Sequence, residues 1–351
     1  MRLTGEALLI RADASTRIGA GHLMRCLALA QAWQDGGGHV VFMTATESPA
    51  LEARLESEGM RVIRLATQPG SADDAVQIAR QAEQIGASWV VVDGYHFEAE
   101  YQRTVKNAGL NLMSVDDMGR LDHYFADLVL NQNIHAHEEM YSHREPYTRL
   151  LLGTSYVLLR REFSKWRLWN RETPETARRI LVTLGGGDPD NVTLTVIRAL
   201  QQVNVDGLEA VVVVGGSNPH YNELEDAVRG SELAIRLESN VTNMPELMAW
   251  AEAAVATGGS TSWELAFMGL PSLVVTLAKN QDPIARALEA RGTAVNLGCH
   301  KSLLPAAVAQ KITKLLVSQD AREEMSRRGR MLVNGNGALN VLKHMEEKCF
   351  S

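Results

Sequence analysis

A chain of 351 residues that is 45% hydrophobic and 22% charged can bury more than one core, so two domains are expected. The formal net charge of -7 excludes a broad basic surface for nucleic acid or anionic membrane and leaves any anionic ligand to a local site. Cys26, Cys299 and Cys349 are far apart and lack CxxC spacing, which excludes a disulfide framework and a zinc site and fits a reducing cytoplasm.

The N-terminus MRLTGEALLI has only a brief apolar run, and nowhere do about 18 consecutive apolar residues occur, so neither a signal peptide nor a membrane span is expected. ALLI (7–10), HVVFM (39–43), WVVVD (89–93), NLMSV (111–115) and ADLVL (126–130) read as buried parallel strands separated by amphipathic helices. After the charged, Trp-rich stretch VLLRREFSKWRLWNRETPET, the pattern restarts with ILVTL (180–184), EAVVVV (209–214), LAIRL (233–237), AAVAT (253–257) and SLVVTL (272–277). The expectation is an α/β chain of two doubly wound Rossmann-like domains facing across a cleft: residues 1–156, a linker at 157–177, residues 178–333, and a separate tail at 334–351.

Glycine loops fall after the strands. GGGDPDN (185–191, with Gly186) follows ILVTL, GGS (215–217) follows EAVVVV, and GGSTS (258–262, with Gly259, Ser260 and Thr261) follows AAVAT and opens a helix. Backbone N–H groups at such turns, with the hydroxyls of Ser260 and Thr261, suit a phosphate-bearing ligand, although glycine also serves simply to turn the chain. No Walker motif is present. In the first domain GAGHLM lacks the third glycine of a dinucleotide fingerprint, and His22 falls at or near a helix start, placed either to act as a base or to cap and pack. Asp116 and Asp117 are adjacent, so their side chains should point apart instead of chelating a metal. His135 and His137, in IHAHEEMYSH, read as a solvated polar loop.

RADASTRIGAGHLMRCLALA, VVVDGYHF, SVDDMGR, VLNQN, GTSYVLLRREF, GGGDPDN, GGSTSWELAFMG and KNQ come in the order seen in the UDP-sugar hydrolases of pseudaminic acid biosynthesis, the PseG family, which the chain resembles over nearly its whole length. That family is similar to the MurG-type GT-B glycosyltransferases. The resemblance implies hydrolysis of UDP-2,4-diacetamido-2,4,6-trideoxy-β-L-altropyranose by inverting water attack at the anomeric carbon, with no cofactor and no metal, by a cytoplasmic monomer that can associate with neighbouring pathway enzymes. It implies His22 as catalytic base and Glu264 as the ribose-binding acid. The chemistry of such a reaction adds the loop 258–262 as diphosphate site helped by Gly19 and Gly21, Asp13 to orient His22 or bind a sugar hydroxyl, and Tyr95, Asn280 and Gln281 to read the sugar, with a structural role the alternative for each of these four. Arg25 is a further substrate-binding candidate. The GT-B likeness predicts that NGALNVLKHMEEKCF (336–350) forms a helix returning to the first domain. Two alternatives remain open: a MurG-like inverting glycosyltransferase and a non-catalytic nucleotide-sugar-binding subunit.

Overall fold

The computed structural model describes residues 3–13, 21–216, 218–239 and 241–349. The chain divides into two compact units, Met1–Arg161 together with Gly335–Ser351, and Glu162–Asn334.

In the first unit the apolar runs become strands β1 (Ala7–Ala12), β2 (His39–Thr44), β3 (Arg61–Arg64), β4 (Ala87–Asp93), β5 (Asn111–Val115), β6 (Leu128–Asn131) and β7 (Arg149–Leu152). Among the described residues they form one parallel sheet in the order β3-β2-β1-β4-β5-β6-β7. Helices α1 (Gly21–Asp35), α2 (Pro49–Ser57), α3 (Ala72–Ile85) and α4 (Ala99–Asn107) make the crossovers. β1 is buried along its whole length, as a strand covered on both faces must be, which is why its sequence is an unbroken apolar run until Arg11.

The second unit repeats the plan. β8 (Arg179–Thr183), β9 (Glu209–Val214), β10 (Ala234–Ser239), β11 (Ala253–Thr257), β12 (Ser272–Thr276) and β13 (Ala294–Cys299) lie in the order β10-β9-β8-β11-β12-β13. They alternate with α5 (Val192–Leu200), α6 (Tyr221–Arg229), α7 (Met244–Trp250), α8 (Thr261–Phe267) and α9 (Asp282–Ala290), and α10 (Pro305–Val317) and α11 (Gln319–Leu332) follow. Strands β3, β7 and β13 are not apparent as apolar runs. All three are sheet edges and are incompletely buried, so RVIR, RLLL and AVNLGC carry arginine, asparagine or glycine where a central strand would be apolar.

In each sheet the chain order reverses beside the first strand, between β1 and β4 in one unit and between β8 and β11 in the other. Doubly wound sheets bind ligands at such reversals, beyond the carboxyl ends of the strands.

The stretch 157–177 does not form a free linker. Leu158 joins the first unit's core, Arg161 donates to the Gln31 carbonyl at 3.1 Å and to Glu58 at 3.1 Å, and Phe163 is buried. Further along, Arg171 donates to the carbonyls of Met248, at 2.6 Å, and Ala251. The final helix α12 (Gly337–Cys349) belongs to the first unit, where Val341, Leu342 and Met345 pack in one cluster with Leu23 and Leu27 of α1. Its entry is tight: a Cβ on Gly337 would stand 2.0 Å from the Val157 carbonyl oxygen.

Candidate active site

The first unit's reversal point gathers the ionisable side chains. Asp93 is the last residue of β4 and lies in register with Ala12, the last of β1, while His22 is the second residue of the helix that follows β1. The topology therefore sets an acid and a histidine side by side although they are far apart in the chain. His22 Nδ1 lies 2.5 Å from Asp93 Oδ1.

Asp93 is fully buried. Burial pushes its carboxyl up, but the charges of Arg25 and His22 and their hydrogen bonds outweigh this and hold it well below the usual carboxylate range. An ionised carboxylate only accepts, so Nδ1 carries the ring proton and Nε2 is left as the accepting nitrogen. Arg25 Nη2 also stands 3.1 Å from Nδ1, but both are donors, and the contact is a proximity without a bond. His22 thus has the arrangement of a general base oriented by a carboxylate.

Arg25 is a substrate-binding candidate from the sequence, and in the structure its guanidinium engages two carboxylates. Its Nε and Nη2 donate to Asp93 at 2.6 and 2.7 Å, its Nη1 donates to both oxygens of Asp117 at 2.7 and 2.9 Å, and the residue is 7% exposed. Planar guanidinium geometry suits this double carboxylate grip, which engages Nε, Nη1 and Nη2 with protein carboxylates. Burial disfavours the cation, yet the two carboxylates hold its pKa well above the ordinary arginine value. Asp117 also accepts from Asn133 Nδ2 at 2.8 Å. Asp116 faces elsewhere, accepting from the Met118 and Gly119 N–H groups at 2.7 and 3.2 Å and from the Tyr124 hydroxyl, so the adjacent acids point apart as expected.

Tyr95 stands edge-on to His22, with ring centroids 5.0 Å apart and planes at 89°, and its hydroxyl is 3.5 Å from Asp117. Beside the pair is a depression lined by His22, Gly94, Tyr95, Asp116, Arg120 and Leu121. Arg120 lies over the Tyr95 ring, 5.7 Å from its centroid.

Asp13 does not orient His22. It forms an ion pair with Arg11 at 2.8 Å and accepts from the Ala45 N–H at 2.7 Å, and His96 Nε2 lies 3.3 Å away. Burial raises its pKa, but His96, Arg11 and Ala45 together hold the carboxyl well below the usual range. Arg11 is itself clamped by Asp74 from α3 at 2.9 Å, so Asp13 ties the end of β1 to the loop after β2. Asp13 stands just past the end of β1 and contacts the loops after both neighbours, Ala45 after β2 and His96 after β4, whereas the carboxylate at His22 Nδ1 is that of Asp93. Gly21 begins α1; Gly19 lies outside the described residues.

In the second unit two of the three glycine loops meet. A Cβ on Gly215, after β9, would lie 2.2 Å from the Gly186 carbonyl oxygen. The start of α5 is already occupied, because Asp188, at φ 40, accepts from the N–H groups of Val192 and Thr193, both at 2.8 Å. After β11, Ser260 precedes α8, Thr261 is its first residue, and Glu264 lies one turn in, partly exposed. Gln281 folds back, its Oε1 accepting from the Leu277 N–H at 2.9 Å, and its backbone oxygen comes within 3.0 Å of where a Gly258 Cβ would stand. It braces the Gly258–Gly259 turn, with its Nε2 3.9 Å from where a Gly259 Cβ would stand. Asn280 sits beside it in the short helical turn Lys279–Gln281, partly exposed.

The motifs VVVDGYHF, SVDDMGR and VLNQN contain three site residues, Asp93, Asp117 and Asn133, to which the sequence alone assigns no role. The available signal is an acid closing a fully apolar strand, as Asp93 does after WVVV, where burial would demand a partner. Among the described residues no group of three or more His, Cys, Asp or Glu side chains is arranged to hold a metal, and no helix is long and apolar enough to cross a membrane.

Residues 180–341 match the model of the glycosyltransferase family 28 C-terminal domain. An uncharacterized protein of Methanocaldococcus jannaschii is 26% identical over 276 residues, 77% of this chain and 55% of that protein, so the match spans about half of its length. The UDP-2,4-diacetamido-2,4,6-trideoxy-beta-L-altropyranose hydrolase of Campylobacter jejuni is 24% identical over 287 residues, 81% of this chain and 97% of that one. Among solved structures, MurG of Acinetobacter baumannii superposes with a TM-score of 0.69 at 16% identity, covering 97% of this chain and 99% of that one. With two parallel α/β sheets of like order, the fold is that of the GT-B glycosyltransferases.

Proposed function

We propose that this protein is an enzyme acting on UDP-sugars, and that it hydrolyses UDP-2,4-diacetamido-2,4,6-trideoxy-β-L-altropyranose to the free sugar and UDP. The observation that carries the reading is His22, held through Nδ1 by the buried, ionised Asp93 so that Nε2 can accept a proton. In this reading Nε2 takes a proton from water as the water oxygen bonds to the anomeric carbon. The bond from that carbon to the UDP oxygen breaks, and its electron pair leaves with UDP. A single displacement inverts the anomeric configuration. The nucleotide is held in the second unit, with Glu264 accepting from ribose hydroxyls and the turn 258–261 donating to the diphosphate. The same reading has the enzyme working as a cytoplasmic monomer. The activity by which the Campylobacter relative is named supports it.

The match of residues 180–341 to a glycosyltransferase domain favours a second reading, in which the same base takes its proton from an acceptor hydroxyl. Purified protein incubated with the UDP-sugar in ¹⁸O water and no acceptor separates the two. UDP release with label in the sugar supports hydrolysis, and release only on adding an acceptor supports transfer. Label in UDP means attack at phosphorus and removes His22 from the role of base toward the anomeric carbon, while binding without turnover under either condition leaves a nucleotide-sugar-binding subunit.

A further inference from the structure

The Arg25 guanidinium poses an electrostatic problem that Asp117 answers. A carboxylate orients a general base best when its negative charge is available to the imidazolium that forms on proton transfer. In this site Asp93 is gripped by Arg25 at 2.6 and 2.7 Å, and a lone guanidinium that close would cancel the carboxylate's field at His22. The third nitrogen of the same guanidinium, however, binds both oxygens of Asp117 at 2.7 and 2.9 Å. The side chains of Arg25 and Asp117 are only 7% and 15% exposed, so water screens this pair little. Asn133 fixes Asp117 from beyond the end of β6 with a hydrogen bond of 2.8 Å.

We propose that Asp117 is a positioning residue: by binding Arg25 bidentately it offsets the guanidinium charge, so that Asp93 acts on His22 as a carboxylate of nearly full negative charge. The inference rests on the reading of His22 as base for its catalytic meaning, but the electrostatic claim stands on geometry alone. Among the described residues the groups facing His22 are Asp93 from β4, Arg25 and, through Asp93, Cys26 from its own helix, Tyr95 from the loop after β4, and Asp116, Arg120 and, at longer range, Asp117 from the loop after β5. Of these, Arg25 touches both His22's partner Asp93 and Asp117. A sequence of charges, minus at Asp117, plus at Arg25 and minus at Asp93, leads to the ring.

The test is an NMR titration of the imidazole of the full chain, with the His22 signal identified by its loss in His22→Asn. Removing the distant negative charge in Asp117→Asn should lower the His22 midpoint by about one pH unit, and removing the cation in Arg25→Gln should raise it by about the same. Opposite signs are the signature, because mere loosening of the site would move both variants the same way. A folded Asp117→Asn protein with an unmoved midpoint, or shifts of one sign in both variants, overturns the proposal. Should Asp117→Asn not fold, Asp117→Ser takes its place, and a folded variant whose midpoint is unchanged or raised overturns the proposal. If wild-type protein fails to release UDP without acceptor, the hydrolysis reading falls while the titration result stands.

Discussion

Replacing Asp93 by asparagine removes the charge that orients His22 while nearly preserving shape. Asparagine presents either an oxygen or an NH₂ to Nδ1, and in the second case the ring must turn its accepting nitrogen inward, away from substrate. Loss of the correct tautomer and of imidazolium stabilisation together should lower kcat by about 10² to 10⁴-fold. Stability should fall by about 3 kcal/mol, the lower end of the range for breaking a buried ion pair, because Arg25 keeps Asp117 as a partner. The sign of the pH dependence follows from the depressed pKa of Asp93. The stability contributed by a carboxylate with a lowered folded pKa is fully present above the ordinary value of about 4 and is lost as the pH falls through the folded value. The gap between wild type and Asp93→Asn should therefore be full at neutral pH and narrow below about pH 4. Steady-state kinetics and thermal melts across pH read both effects. A folded variant with kcat within about threefold of wild type would refute the assignment of Asp93.

His22→Asn should lower kcat by about 10² to 10⁴-fold with UDP affinity nearly intact, since the base acts on water and not on the nucleotide; an equal loss of UDP binding by calorimetry would place His22 in nucleotide recognition instead. Glu264→Ala should weaken UDP binding by about 1 to 3 kcal/mol through lost charge-assisted hydrogen bonds, and unchanged affinity rules out the ribose assignment. Gly215→Ala would bring a Cβ to 2.2 Å from the Gly186 carbonyl oxygen, forcing the loop after β8 to move; weaker UDP binding or a lowered Tm is expected, and a variant matching wild type in both shows that the loop yields without consequence.

Elements buried on both sides are legible in the chain alone. EAVVVV, NLMSV and AAVAT are read with the same bounds that the strands take, because a central parallel strand meets apolar neighbours on both faces and its composition records that. The edge strands β3, β7 and β13 leave a weaker record, since one side has no strand to bond and solvent tolerates arginine or asparagine there. His22 is legible from its place between a glycine loop and an apolar helix. Its partner is not. Asp13, nearest along the chain, is the acid the sequence offers to orient His22 or bind a sugar hydroxyl, and only the fold shows its carboxylate among Arg11, Ala45 and His96 while Asp93, 71 positions from His22, meets the ring. Arg25 likewise stands in the sequence only as a substrate-binding candidate, and only the folded chain shows it enclosed by two carboxylates drawn from different strand ends. Periodicity reports which face of an element is covered, a property local to the chain. Which charges share a site depends on how the strands are ordered beside one another, and that order is set by the packing of the whole sheet.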